Sequence, residues 1–316
     1  MEFDLTPDMS AILSAIGPLL AKYARLPSPA EAVYYVPGTE LEAELEEAGF
    51  FAFDSADFGP AEAALVVEHV ARTPYVVEVA ASMLVAPQIT GERLPRPIAL
   101  VAPGHPGAPV RFLQQARTAI IDTGEDVRVL DLQRVGVVAA DNLFAYPFGR
   151  FKQQDWSVAR VLPDVAPSQL RYWWRLALGV ECLGAMRAAL DLTVEHVKQR
   201  QQFGRPIGAF QAVQHRLAAS VTAVEGLELL IRRAAWSRDP ADAALAACYA
   251  QEMAPQLIYD CHQFHGATGL TLEYVLHHWT YRLKVLLGEL GGASAQARHA
   301  ATLVWNGKER PLRQRA

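Results

Sequence analysis

From Pro167-Ser168 to about Arg200 the chain runs without a further proline, while apolar residues recur at Leu176, Val180, Leu183, Leu190, Val194 and Val197. Such spacing predicts one long helix, with Ser168 placed to cap its N-terminus. A helix of that length needs partners. Further helical patterns at about 209–237, 241–265, 273–288 and 293–305 supply them, so the last third reads as a helical bundle with short connections.

Upstream the texture changes twice. Between about 93 and 160, β-branched runs at Ile98–Val101, Thr118–Ile121, Val127–Leu130 and Val135–Val138 are broken by Gly, Pro and Asp, as expected of a small sheet. Thr123-Gly124-Glu125-Asp126 lies between two of these runs and has the residues of a hairpin turn. Before that, Ile12, Ile16, Leu19 and Leu20, then Leu41, Leu45 and Phe50, then Ala64, Val67 and Val70 fall at helical spacing. Pro27, Pro29, Pro37 and Pro60 punctuate this part where helices start or stop. The order is helix, sheet, helix without an internal repeat, which predicts an α+β chain divided at 1–92, 93–163 and 164–316.

Composition excludes some functions. With 316 residues, 51% of them apolar, the chain can bury a substantial core. A net charge of -5, with arginines gathered near the C-terminus rather than along one face, argues against a nucleic-acid binder but leaves small phosphate-bearing ligands open. Cys182, Cys248 and Cys261 lack CxxC spacing and sit in apolar helical stretches, so they read as buried, reduced thiols. The first residues are acidic, and no run of about 18 uncharged apolar residues occurs, so a cytoplasmic protein without membrane association is expected.

Two breaks between bundle helices carry the chemistry. In Arg200-Gln201-Gln202-Phe203-Gly204-Arg205-Pro206-Ile207-Gly208-Ala209-Phe210-Gln211, Arg200 offers a forked donor suited to a pyrophosphate, Phe203 an aromatic face, and Gln211 both donor and acceptor atoms. In Gln263-Phe264-His265-Gly266-Ala267-Thr268-Gly269-Leu270-Thr271-Leu272-Glu273-Tyr274, the glycines let backbone approach a ligand closely. The first segment resembles the RxxFGxxIxxFQ signature of acyl-CoA dehydrogenases, and the second is similar to their QxxGGxGxTxEY motif. The resemblance covers roughly residues 165–300, and the upstream order agrees with the family's three-domain build. It implies that Arg200, Phe203, Gln211, Gln263 and Gly266 reach across a subunit interface to the ADP portion of a neighbour's FAD.

The departures are as informative as the match. The family's reaction needs a carboxylate to take the α-proton of a CoA thioester while hydride leaves Cβ for the flavin. Aligned without gaps from Tyr281-Arg282, the place of that glutamate falls at Gly291, with Glu289 two residues off and expected to project elsewhere. An alternative position used by some members falls near Trp174, and Glu181 on the same helix reads as a buried structural or interface carboxylate in preference to a displaced base. The first half has neither the Thr-Glu-Pro nor the Trp-x-Thr-Asn segment with which the family holds the flavin ring, and its N-terminal and β domains are abbreviated.

The chain therefore resembles the short subunits of α2β2 acyl-CoA dehydrogenases of bacterial steroid and bile-acid side-chain catabolism. That resemblance implies a full-length dehydrogenase partner supplying the catalytic Glu, one FAD shared at each heterodimer interface, a bulky acyl-CoA substrate and an electron-transfer flavoprotein as acceptor. Two other readings stay open: a self-sufficient homo-oligomer using Glu181 or Glu289 as base, and a scaffold without FAD contact. Of the remaining signals, His262, His265, His277 and His278 read better as part of the motif neighbourhood than as metal ligands. Trp173-Trp174 reads as core or interface rather than pocket wall. Gly104-His105-Pro106-Gly107 reads as a turn. The basic tail from Lys308 to Arg315 reads as a solvated terminus.

Overall fold

The computed structural model describes residues 6–26, 33–52, 59–104, 107–141, 145–153 and 155–306. Its first part is helical. Helix α1 (Pro7–Ala21) opens with Thr6 accepting the Met9 N–H at 3.1 Å and with Pro7 in the first turn, where a missing N–H costs nothing. Strand β1 (Val36–Pro37) pairs in parallel with β2 (Tyr75–Val76) across helices α2 (Thr39–Glu47) and α3 (Pro60–Ala71). Pro60 begins α3 and Pro37 lies in β1, while Pro27 and Pro29 fall outside the described residues. A π-helical turn, Ala81–Val85, then runs into the short α4 (Ala86–Thr90).

The expected sheet is two sheets. Strands β3 (Ile98–Val101), β5 (Thr118–Asp122), β6 (Val127–Asp131) and β9 (Arg160–Val161) form one, with β3 and β5 parallel. Strands β4 (Val110–Arg111), β8 (Phe148–Phe151) and β7 (Val137–Ala140) form the other. The turn between β5 and β6 is closed by the Thr123 N–H donating to the Asp126 carbonyl at 3.1 Å, with Gly124 at φ 93°. Strand β7 starts two residues later than its β-branched run suggests. A 3-10 turn at Leu132–Arg134 holds the Val135 N–H on the Leu132 carbonyl instead.

The long helix α5 (Pro167–Gln199) has 33 residues, about 50 Å at 1.5 Å per residue. Its cap is Ala166 rather than Ser168: Pro167 takes the first helical position, and the Ala166 N–H donates to the Gln169 side-chain oxygen at 2.8 Å. From Tyr172 to Met186 every residue of α5 is buried, so it forms the axis of the molecule. Around it lie α3, α6 (Gln211–Ser237), α7 (Pro240–His265) and α8 (His277–Leu286), while α9 (Gly292–Asn306) packs on α7. Gly184 lets α3 cross α5 closely, since a Cβ there would run into the Glu68 carbonyl and sit 2.7 Å from the Ala71 Cβ. Helix α8 begins four residues after its sequence pattern does, because 271–274 close turns of their own through Thr271 and Tyr274. It is pinned to the end of α3 by the Trp279 indole N–H on the Arg72 carbonyl and the Arg282 guanidinium on the Thr73 carbonyl, at 3.0 and 2.9 Å.

Candidate functional site: an exposed bundle end and a walled cavity

One end of the bundle gathers the two motif segments. Helix α5 stops at Arg200, and a two-strand hairpin follows, β10 (Gln201–Gln202) with β11 (Arg205–Pro206). Its two-residue turn, Phe203-Gly204, has φ of 54° and 78°, the left-handed pair that a tight hairpin demands. That conformation holds the Phe203 ring in the open, 90% exposed. Arg205 packs over Phe210 at 4.0 Å, and Gln211 begins α6. The end of α7 joins them through two contacts. His196 of α5 stacks on His265 of α7 at 4.3 Å, and Arg216 of α6 lies over Phe264 at 5.1 Å while ion-pairing with Asp260.

Arg200, Phe203, Gln211, Gln263 and Gly266 are thus placed on one end of the bundle, and all five are exposed. Among the described residues Arg200 makes no ion pair, so its guanidinium is available to an anion. Gly266 has φ 61° and ψ -143°, a backbone state that side chains disfavour, and the space around its missing Cβ is open. The donor set fits a dinucleotide's phosphates and base: forked and amide donors, one flat aromatic face and one bare backbone stretch.

The neighbouring histidines are structural. The His265 ring bonds the Cys261 carbonyl at 2.7 Å, and burial pushes its pKa down to about 4. His262 bonds Thr280, while His277 bonds the carbonyls of Tyr274 and Val33. Among the described residues no three His, Cys, Asp or Glu side chains converge as metal ligands. Cys182 and Cys261 are buried and Cys248 is partly so, with all three thiols pushed up by burial.

The second locus is a cavity of about 680 Å³ between the β strands, the π turn, α5 and the end of α8. Its walls are largely apolar, with Ile98, Leu100, Phe112, Phe148, Trp156 and Trp174 among them. One wall is ionic. Arg111, on β4, donates to both oxygens of Glu181 at 2.7 and 2.8 Å, and its Nε donates to Glu289 at 2.6 Å. The Trp174 indole N–H adds a bond to Glu289 at 3.0 Å. Burial pushes the Glu181 carboxyl up against the opposing pull of Arg111, and the two carboxylates hold Arg111 firmly cationic.

This geometry corrects two expectations. Glu289 does not project away; it meets Glu181 on a single guanidinium at the cavity wall. Trp174 lines the cavity, whereas Trp173 is core, edge-on to Tyr172 at 4.7 Å. Gly291 has φ 87°, and a Cβ there would sit 2.8 Å from that of Ala295, so a glutamate at this position would be strained. The loop carrying it is tied down by the Gln251 amide on the Leu286 and Glu289 carbonyls and by the Gln296 amide on Leu290. Arg111 had no signal in the sequence, lying 70 residues from one partner and 178 from the other. His105, Pro106 and the basic tail are outside the described residues.

Residues 165–300 match the family model described as acyl-CoA dehydrogenase, C-terminal domain. Acyl-CoA dehydrogenase FadE27 of Mycobacterium tuberculosis is 36% identical over 129 residues, 37% of this chain and 35% of that protein. The chain spans about a third of the length of the curated relatives it first matches. In fold, the ChsE4–ChsE5 complex from Mycobacterium tuberculosis superposes with a TM-score of 0.80 at 21% identity, over 98% of this chain and 100% of that one. A Tcur3481–Tcur3483 steroid ACAD variant gives a TM-score of 0.80 at 20% identity, over 95% and 98%. No described helix is long and apolar enough to cross a membrane.

Proposed function

We propose that this chain, whose residues 165–300 match the acyl-CoA dehydrogenase C-terminal domain, is the accessory subunit of a heteromeric enzyme that dehydrogenates a bulky acyl-CoA, a steroid side-chain thioester. One observation carries this reading. The residues suited to grip a dinucleotide stand exposed together at the bundle end, whereas both carboxylates at the cavity are committed to Arg111.

In this arrangement Arg200, Phe203, Gln211, Gln263 and the bare backbone at Gly266 would hold the ADP portion of an FAD, with Arg200 suited to its pyrophosphate. Bound in the complex, that FAD would supply the hydride acceptor. The chain's own contribution is to hold the nucleotide end and to wall a large apolar space, while the partner supplies the general base. Glu181 is unsuited to that duty, because both its oxygens are engaged by one guanidinium and accepting a substrate proton would require breaking the pair. Resemblance to the heteromeric steroid enzymes supports the partner, the shared FAD and the steroid, and an electron-transfer flavoprotein as acceptor follows from the same resemblance.

The test is Arg200→Ala in the complex of this chain co-expressed and co-purified with a full-length acyl-CoA dehydrogenase partner. The expected result is FAD per heterodimer falling by about tenfold at limiting flavin, the loss of one charge-assisted phosphate contact, with assembly unchanged. Unchanged FAD content would favour the scaffold reading and refute this one.

A further inference from the structure

A second void, of about 10 Å³, shares the side chain of Glu181 with the cavity. It lies between α3, β2, α5 and α8, with Val70, Val77, Val79, Tyr146, Glu181 and Arg282 among its walls. Most of that lining is aliphatic, but one wall is a cation short of acceptors. Arg282 is 3% exposed. Its Nη1 donates to the Thr73 carbonyl at 2.9 Å and to the Ala71 carbonyl at 3.4 Å. Nε and Nη2, with three N–H groups between them, find no hydrogen-bond partner among the described residues. The hold on Nη1 keeps the guanidinium from turning to reach another acceptor. Glu181 takes two bonds from Arg111 and keeps lone pairs to spare.

Buried charged donors left unpaired are costly, and size and charge decide what can relieve that cost here. A space of about 10 Å³ takes one water-sized molecule and is too small for a carboxylate or a phosphate. A bare anion would be repelled by Glu181 and a bare cation by Arg282, whereas a water accepts from one and donates to the other. We infer that this void is a binding site for a single ordered water, which accepts from the Arg282 guanidinium and donates to the Glu181 carboxylate. Arg282 thereby becomes a second counter-cation of Glu181. Burial pushes the Arg282 pKa down to about 10 while Tyr146 and Glu181 pull the other way, which places that carboxylate within electrostatic reach. A chain of Arg282, water, Glu181, Arg111 and Glu289 then ties α8 through α5 and β4 to the loop after α8. The ionic wall is held from behind as well as from the cavity, whatever the cavity binds.

A crystal structure of the full chain, at a resolution that shows ordered water, is expected to hold one density peak at roughly 2.7–3.2 Å from both an Arg282 nitrogen and a Glu181 oxygen. In solution, Val79→Ile adds a methylene to the lining, and thermal melts read its effect in the wild-type and Arg282→Met backgrounds. Displacing the water from the wild-type chain should lower melting by about 2–4 °C more than the same change in Arg282→Met, where no guanidinium is left stranded. A void free of density, a peak that touches only one of the two groups, or an equal shift in both backgrounds overturns the inference. The crystal structure decides the matter even if Arg282→Met fails to fold.

Discussion

Replacing Arg111 by Met keeps much of the side-chain volume and removes the one cation between Glu181 and Glu289. Glu181 is 6% exposed and already disfavoured as an anion by burial, so the variant faces two carboxylates with only the Trp174 N–H between them. Breaking a buried pair from one side costs about 3–5 kcal/mol. At roughly 1.5 °C per kcal/mol for a chain of 316 residues, melting should fall by about 5–8 °C at pH 8. The loss should shrink in acid. A carboxyl whose folded pKa is raised adds stability below its unfolded value and loses it as pH rises through the folded one, so protonation of Glu181 relieves the repulsion as pH falls. Thermal melts of Arg111→Met and Arg111→Met/Glu181→Gln at pH 5.5 and 8 check this. The double variant should recover a large part of the loss and flatten its pH dependence. A single variant as stable as wild type at pH 8, or equally damaged at both pH values, would refute the reasoning.

Other consequences follow from the same geometry. Gly184→Ala drives a Cβ into α3 and should destabilise by about 1–3 kcal/mol in urea unfolding, whereas Gly204→Ala in the open hairpin should do so by less. His265 and His278 are neutral in the fold, pushed down to about 4 and about 3 by burial, so stability should fall as pH drops below about 6.5, where the unfolded chain takes up protons first. Melts from pH 7.5 to 5 read this, with His278→Asn showing a weaker dependence. Glu181→Gln and Glu289→Gln should leave the dehydrogenation rate of the complex within about threefold. A loss of about 10²–10⁴-fold in either would identify that residue as the base.

Much of this was legible because local rules govern it. The β5–β6 hairpin, the long α5 and the two motif segments each depend on residues close in sequence: Gly124 for its turn, the absence of proline for α5, and the Phe203-Gly204 pair for the β10–β11 turn. The cap of α5 moved because Pro167 satisfies the first helical position by lacking the N–H that Ser168 would otherwise serve. The cavity was not legible. Its ionic wall joins a two-residue strand, the centre of α5 and the loop after α8, and no local pattern ties Arg111 to Glu181 or Glu289. The same long range explains why Glu289 was expected to point elsewhere, since its direction is set by Arg111 and Trp174 rather than by spacing from Tyr281.

The central claim is that this chain lends nucleotide contacts to a partner's flavin. Its most direct test is the visible absorbance and mass of the chain purified alone and after co-expression with a full-length acyl-CoA dehydrogenase partner. The account predicts a colourless chain alone and a yellow complex with one FAD per heterodimer. A yellow, catalytically active assembly of this chain by itself would contradict it.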